Sequence, residues 1–256
     1  AMKSRVMLLI AAGLMFVSNL TYAYAVPLVN ASFESDTPDG GWSGTSGTTD
    51  GQWKPSLATG WTTVAGTYGT WRPGTGMFGS IPDGVQVAYL GSSSSIAQTT
   101  AEILQVGYTY TLTVLVGTRD NAAVGGTDAS FAGGKIELLA DGNVIDFVTS
   151  TTPAQGGWVS TQLIFTATNL TAGLGKALTV RLSGLTGGIQ TNFDKVSLTA
   201  VPLPAAAWLF GSALLGLGWA RRSRSRQQEV LGEKGTDLFT EKINPGKINP
   251  SPFIIH

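Results

Sequence analysis

The chain has 256 residues, only 12% of them charged, and sixteen Lys/Arg against sixteen Asp/Glu give a formal net charge of zero. It holds no cysteine and a single histidine, the terminal His256, which excludes disulfides, thiolate metal sites, and any Ser-His-Asp triad or histidine-bound zinc inside a folded domain. Residues 26–204 carry seven basic and twelve acidic side chains, about −5 net, so no nucleic-acid partner is expected, because such binding draws on a basic face.

At the start, Lys3 and Arg5 precede the apolar run 6–17, and Ala23-Tyr24-Ala25 supplies small residues at a cleavage-site spacing. Charge, apolar run and small-residue site in that order predict a secretory signal peptide over 1–25. From 26 to 200, strand-like stretches alternate with Gly, Ser, Thr, Pro and Asp clusters, and no helical spacing persists. The clearest are 85–90, 108–116, 135–139, 144–148, 158–165, 178–182 and 196–200. Within 108–116, Tyr108, Tyr110, Leu112, Val114 and Val116 alternate with Thr109, Thr111, Thr113 and Leu115, the pattern of a strand with one buried face. Ala140-Asp141-Gly142-Asn143 is a hairpin signal. The fold class is therefore all-β, an antiparallel β-sandwich.

The segment 36–82 reads as Gly-, Thr- and Trp-rich loops with little strand signal, long for a compact domain and a natural place for binding. Trp53, Tyr68, Trp71 and Arg72 are its candidate ligand-binding residues, since flat rings beside hydrogen-bonding groups hold the apolar faces of sugars. Trp61 reads as core, and Trp158 as the start of a buried strand. Asp36, Asp39, Asp50 and Asp83 supply carboxylates, and glycoside hydrolysis would need two of them facing each other.

Past the sandwich, 205–220 is free of charge and is followed by Arg221, Arg222, Arg224 and Arg226. At ~1.5 Å per residue it reaches ~24 Å as a helix, enough for a short transmembrane span with Trp208 and Trp219 near its ends. The arginines place the following side in the cytoplasm and the domain outside. The polar, proline-spaced tail 227–256 predicts disorder.

Val201-Pro202-Leu203-Pro204, the apolar run and the arginine cluster together resemble the PEP-CTERM sorting signal, over 201–226. The resemblance implies an exosortase substrate of a Gram-negative bacterium, exported across the inner membrane, held there transiently, and delivered to the cell surface or an extracellular polysaccharide matrix. Its partners would be exosortase and the secretion machinery. Leu203 stands where that motif has its acidic residue, and thirty residues follow the arginines where such tails usually end.

The ends of the sandwich, Leu28-Val29-Asn30-Ala31-Ser32-Phe33-Glu34 and Asn192-Phe193-Asp194-Lys195-Val196-Ser197-Leu198, with Gly60-Trp61 between them, are similar to galactose-binding-like jelly rolls, including carbohydrate-binding modules. That resemblance implies a structural calcium clasped by Glu34 and Asp194. The expectation overall is a non-enzymatic structural or adhesive matrix protein. A carbohydrate-binding module around Trp53, Tyr68 and Trp71 is the alternative, and a glycoside hydrolase the third reading.

Overall fold

A computed structural model describes residues 22–39, 41–45, 48, 51–120, 122, 131 and 133–203. Residues 1–21 of the expected signal peptide, Pro204, the apolar run 205–220, the arginine cluster and the tail 227–256 lie outside the described residues, whereas Tyr24 and Ala25, at the expected cleavage site, are sheet. Among those described, no helix is long and apolar enough to cross a membrane.

The described strands, all antiparallel in their pairing, are β1 (Tyr24–Val26), β2 (Ser43–Gly44), β3 (Gln52–Pro55), β4 (Thr62–Ala65), β5 (Tyr68–Arg72), β6 (Val87–Gly91), β7 (Ser95–Ile103), β8 (Tyr108–Gly117), β9 (Gly134–Ala140), β10 (Asn143–Thr149), β11 (Trp158–Thr166), β12 (Ala177–Gly184) and β13 (Gln190–Pro202). They form two sheets. The larger runs β11-β8-β13-β6-β5-β3-β2, with β1 also on β13, and the smaller runs β10-β9-β12-β7-β4.

The alternation in β8 decides how the sheets meet. Tyr110, Leu112, Val114 and Val116 are fully buried and pack with Ile136, Leu138, Val180 and Leu182 of the second sheet, while the threonines between them take the other face. Burying a side chain of this size stabilises by about 1.5–3 kcal/mol, so a one-residue slip that turned this row outward would be strongly disfavoured. Trp61 joins the same core and donates its indole N–H to the Asn30 carbonyl (3.2 Å). Asp141 (φ 53°) and Gly142 (φ 77°) close the β9–β10 hairpin in the left-handed region, as a two-residue turn of this type requires.

The segment 36–82 is not the loop that its sequence suggests. β2, β3 and β5 extend the large sheet and β4 the small one, with Trp53 facing Trp71 across the β3–β5 pair. These strands are short and rich in Gly and Thr, and pairing with neighbours distant in the chain fixes them where local propensity does not.

β13 is the longest strand. β8 lies along one edge, and the other edge takes β6 near Gln190 and β1 near Ala200, so that Tyr24 pairs with Ala200. A bulge between Asp194 and Ser197, with Lys195 at φ 50°, switches which residues face the core. Asn192 and Asp194 consequently share the outer face before it, and Ser197 and Thr199 after it. Of the expected sorting motif, Val201 and Pro202 are sheet. Val201 and Pro202 pair with Thr109 and Tyr108, and the Leu203 N–H donates to the Gly107 carbonyl (2.6 Å).

Candidate functional site

On the outer face of the large sheet, registers bring one row of residues side by side: Trp158 of β11, Gly117 of β8, Asn192 of β13, Tyr89 of β6, Gly69 of β5 and Pro55 of β3. The two glycines give the neighbouring rings room to lie over the backbone. A Cβ on Gly117 would stand 2.5 Å from Cε3 of Trp158, and one on Gly69 would stand 2.7 Å from the Tyr89 hydroxyl. The next row carries Val87, Trp71 and Trp53.

The segment 73–82 folds over these rings. Met77 is buried against Trp71 and Val87, while Phe78 and Ile81 close around them. Phe78 stacks on Trp158 with centroids 4.8 Å apart and meets Trp71 edge-on at 5.8 Å. Backbone bonds fix the segment: Gly79 N–H to the Gly156 carbonyl (2.9 Å) and Asp120 N–H to the Met77 carbonyl (2.8 Å). The Trp158 indole N–H adds a bond to the Ser80 carbonyl (2.9 Å). Between roof and sheet lies a cavity of about 250 Å³ lined by Trp53, Trp71, Met77, Tyr89, Arg119 and Gln190. That is small beside the ~300–1,000 Å³ common for small-molecule sites.

The cavity combines three aromatic rings and Met77 with the polar groups of Tyr89, Arg119 and Gln190. Burial alone pushes the Tyr89 phenol above its ordinary value, so the hydroxyl keeps its proton across neutral pH and can donate a hydrogen bond. The Gln190 amide donates to Asn192 Oδ1 (3.3 Å), which steadies it on the sheet. Arg119 contributes a permanent positive charge. Among the described residues that line it there is no carboxylate.

Of the four residues expected to bind a ligand, the structure puts Trp53 and Trp71 in this cavity. Tyr68 and Arg72 alternate with Trp71 along β5, so they take the opposite face. Tyr68 packs against the main core with its hydroxyl on the Ser56 carbonyl (3.2 Å), and Arg72 is exposed. The expected Trp53–Tyr68–Trp71 platform therefore does not form. Sequence reasoning missed Met77, Tyr89, Arg119 and Gln190. For Tyr89 the usable signal was its place opposite Ala88 and Leu90 in a predicted strand. Asp36, a hydrolase candidate, is structural: it is buried and accepts from the Thr59 N–H (3.0 Å) and the Thr70 hydroxyl (3.1 Å).

Glu34 and Asp194 do come together, beside Asp83. Asp194 is fully buried and accepts N–H bonds from Lys195 (2.6 Å) and Asp83 (3.0 Å). Burial, together with the charges of Asp83 and Glu34, outweighs those bonds and pushes its carboxyl up to about 7. Glu34 Oε1 accepts from the N–H groups of Val85 (2.8 Å) and Gln86 (2.6 Å), and the Ser32 hydroxyl donates to Asp83 (2.7 Å). Among the described residues, no three His, Cys, Asp or Glu side chains form a metal-holding group. Even so, a buried carboxylate with acidic neighbours, beside a buried Gln86 Oε1 that has no hydrogen-bond partner among them, is an oxygen-rich setting that suits a hard cation.

The fold recurs in solved structures. A Stig cyclase, FisC from Fischerella sp. TAU in complex with (3Z)-3-(1-methyl-2-pyrrolidinylidene)-3H-indole, is 24% identical over 71% of this chain and all of its own, 100%, with a TM-score of 0.60. The apo form of a cyclase from Fischerella sp. is 25% identical over 71% of this chain and 98% of its own, with a TM-score of 0.58. A cyclase from Fischerella sp. TAU in complex with 4-(1H-indol-3-yl)butan-2-one is 23% identical over 70% of this chain and 98% of its own, with a TM-score of 0.58. No curated protein matches the chain. The family described as HpiC1-like, HpiC1 cyclase, matches residues 24–199. That match corrects three expectations: a PEP-CTERM protein, a non-enzymatic matrix role, and its carbohydrate-binding alternative. Few sequence signals of such an enzyme were available, because its cavity is built from aromatic side chains on several strands and carries no local motif. The chain belongs to the HpiC1-like cyclase family.

Proposed function

We propose that the chain is a cyclase for a small, flat aromatic substrate of the indole type, bound in the cavity beneath 73–82. The observation that carries this reading is the cavity itself: Trp53, Trp71 and Met77 enclose a space of about 250 Å³ into which Tyr89 brings a protonated hydroxyl. Two of the Fischerella structures hold indole compounds, and rings of that shape pack against indole walls by offset or edge contacts.

The residues present suit a ring closure that builds positive charge. Aromatic faces stabilise cations by about 0.5–2 kcal/mol each, and Trp53, Trp71 and Met77 in the wall leave less room for water beside the intermediate. The Tyr89 hydroxyl donates a hydrogen bond to the substrate atom that gains electron density. Because burial raises its value, it acts by holding that proton near the atom more than by releasing it. Closure of this kind rearranges bonds within one molecule, so substrate and product have the same mass.

A structural calcium held by Glu34 and Asp194, with backbone carbonyls completing its shell, accompanies this reading. It would supply positive charge that joins the first and last segments of the sandwich. The order of Lys3, Arg5 and the apolar run 6–17 supports a place of action beyond the inner membrane.

The test is incubation of the full chain with a 3-substituted indole that bears a pendant alkene, followed by NMR of any product of unchanged mass. One additional ring is expected, with the rate reduced at least ~100-fold in Tyr89→Phe, in the range typical of a lost proton-handling group. The reading is wrong if calorimetry with 4-(1H-indol-3-yl)butan-2-one shows no binding and no indole is converted.

A further inference from the structure

Resting on the export reading above, we infer that the leader is cut between Ala23 and Tyr24, and that Tyr24 rather than Val26 begins the mature protein. The sequence offers two places for the cut. Ala23-Tyr24-Ala25 sets small residues first and third before a break at Val26, and Thr21-Tyr22-Ala23 does the same before a break at Tyr24, so the small-residue rule of leader peptidases admits both. The fold separates them. Tyr24, Ala25 and Val26 form β1, in register with Ala200, Thr199 and Leu198 of β13. A break at Val26 would strip two of these three pairs and open the edge of β13 beside Ala200. A break at Tyr24 keeps all three, and the α-amino group that it releases still carries N–H donors.

The Tyr24 side chain adds a second tie. Its hydroxyl donates to Glu102 Oε1 (2.7 Å), and Glu102 lies on β7, so the bond joins the large sheet to the small one. Burial and the Glu102 carboxylate push the phenol well above its ordinary value, which keeps it a donor through the neutral range. Tyr110 steadies the stretch that carries Glu102: its hydroxyl donates to the Ile103 carbonyl (3.1 Å) and accepts from the Gln105 N–H (2.9 Å). Tyr22 and Ala23 lie outside any strand and are exposed, and the residues matched by the family likewise open at 24. The reaction is a hydrolysis by the host's leader peptidase: water adds across the Ala23–Tyr24 amide, the carboxyl stays on Ala23 and the amine on Tyr24, with no change of oxidation state.

The inference is tested by expressing the full chain in a Gram-negative bacterium and reading the protein found beyond the inner membrane by N-terminal sequencing and intact mass. The expected start is Tyr24-Ala25-Val26. Ala25→Leu should leave that terminus unchanged, because the residue then lies on the retained side, whereas Ala23→Leu puts a bulky side chain next to the cut and should abolish it. The cut is made as the chain crosses the membrane, so these readings do not require a variant to fold. A start at Val26 or at any other residue, or loss of processing in Ala25→Leu, overturns the inference and leaves export intact. A chain found only inside the inner membrane with Lys3 and Arg5 in place refutes the export reading and this inference with it.

Discussion

The Tyr89 ring lies across the backbone of Gly69, so close that a Cβ at that position would stand 2.7 Å from both the hydroxyl oxygen and Cε1. The same Cβ would also meet the Lys54 carbonyl of the paired strand. Gly69→Ala should therefore displace the phenol, destabilise the fold by about 1–3 kcal/mol in the manner of overpacking, and lower kcat more than it raises KM. Urea denaturation together with steady-state rates measures both effects. An unperturbed rate would show that the position of the hydroxyl is immaterial.

Gly117 stands in the same relation to Trp158, with 2.5 Å between an added Cβ and the ring. Gly117→Ala is expected to tilt the indole, loosen its bond to the Ser80 carbonyl and unstack Phe78. Near-ultraviolet circular dichroism should report the change, and indole affinity should fall because the roof no longer seats. Trp158→Phe keeps a ring but removes the N–H, so it isolates the Ser80 bond.

Removing calcium bears on the junction of Glu34, Asp83 and Asp194. Melting of the full chain should occur at lower temperature with a chelator than with added calcium, the stability difference being RT ln(1 + [L]/Kd), about 2.7 kcal/mol at a hundredfold excess over Kd. Asp194→Asn should abolish the difference. The same melting temperature with and without chelator, and no metal in elemental analysis, would dispose of the ion.

Glu137 gives a pH dependence on the far side of the molecule. It is 2% exposed on β9 and is held by Arg181 (2.5 and 2.7 Å), Lys135 (2.9 Å) and the Ser183 hydroxyl (3.2 Å). Burial pushes its carboxyl up, but the bonds and charges of Arg181 and Lys135 outweigh that and leave it below the ordinary value. Its ionised form thus stabilises the fold above the usual carboxylate range, and that contribution is lost as pH falls through the lowered value. Arg181→Met should cost up to about 3 kcal/mol at neutral pH, since it leaves the buried carboxylate to Lys135 and Ser183 alone, and the penalty should shrink toward acid. A penalty independent of pH would contradict the assignment.

Where the sequence alternates cleanly it discloses the fold. Tyr110 to Val116 announce their buried face, Asp141-Gly142 announce a turn, and Trp61 behaves as core. It is silent where strands are two to five residues long and depend on partners far away, as at Ser43–Gly44 or Gln52–Pro55. Aromatic density in 36–82 pointed to Trp53 and Trp71. It could not tell that Tyr68 and Arg72 take the other face, because the period of two applies only once the stretch is known to be a strand. Val201 and Pro202 were misread for a related reason: proline near a strand's end resembles a boundary motif, and only the pairing with Tyr108 and Thr109 reveals sheet. Arg119 and Gln190 lie 71 positions apart in the chain and become neighbours only through the β8–β13–β6 order.

The pairing of Tyr24 with Ala200 brings the first and last strands of the sandwich out at one pole, while Gln190, ten residues back along β13, marks the cavity. At ~3.3 Å per residue that separation is about 30 Å. A side-chain label placed on β1 or on the Ala200 end of β13 should consequently report on the junction of the first and last strands while leaving ligand affinity at the chamber unchanged.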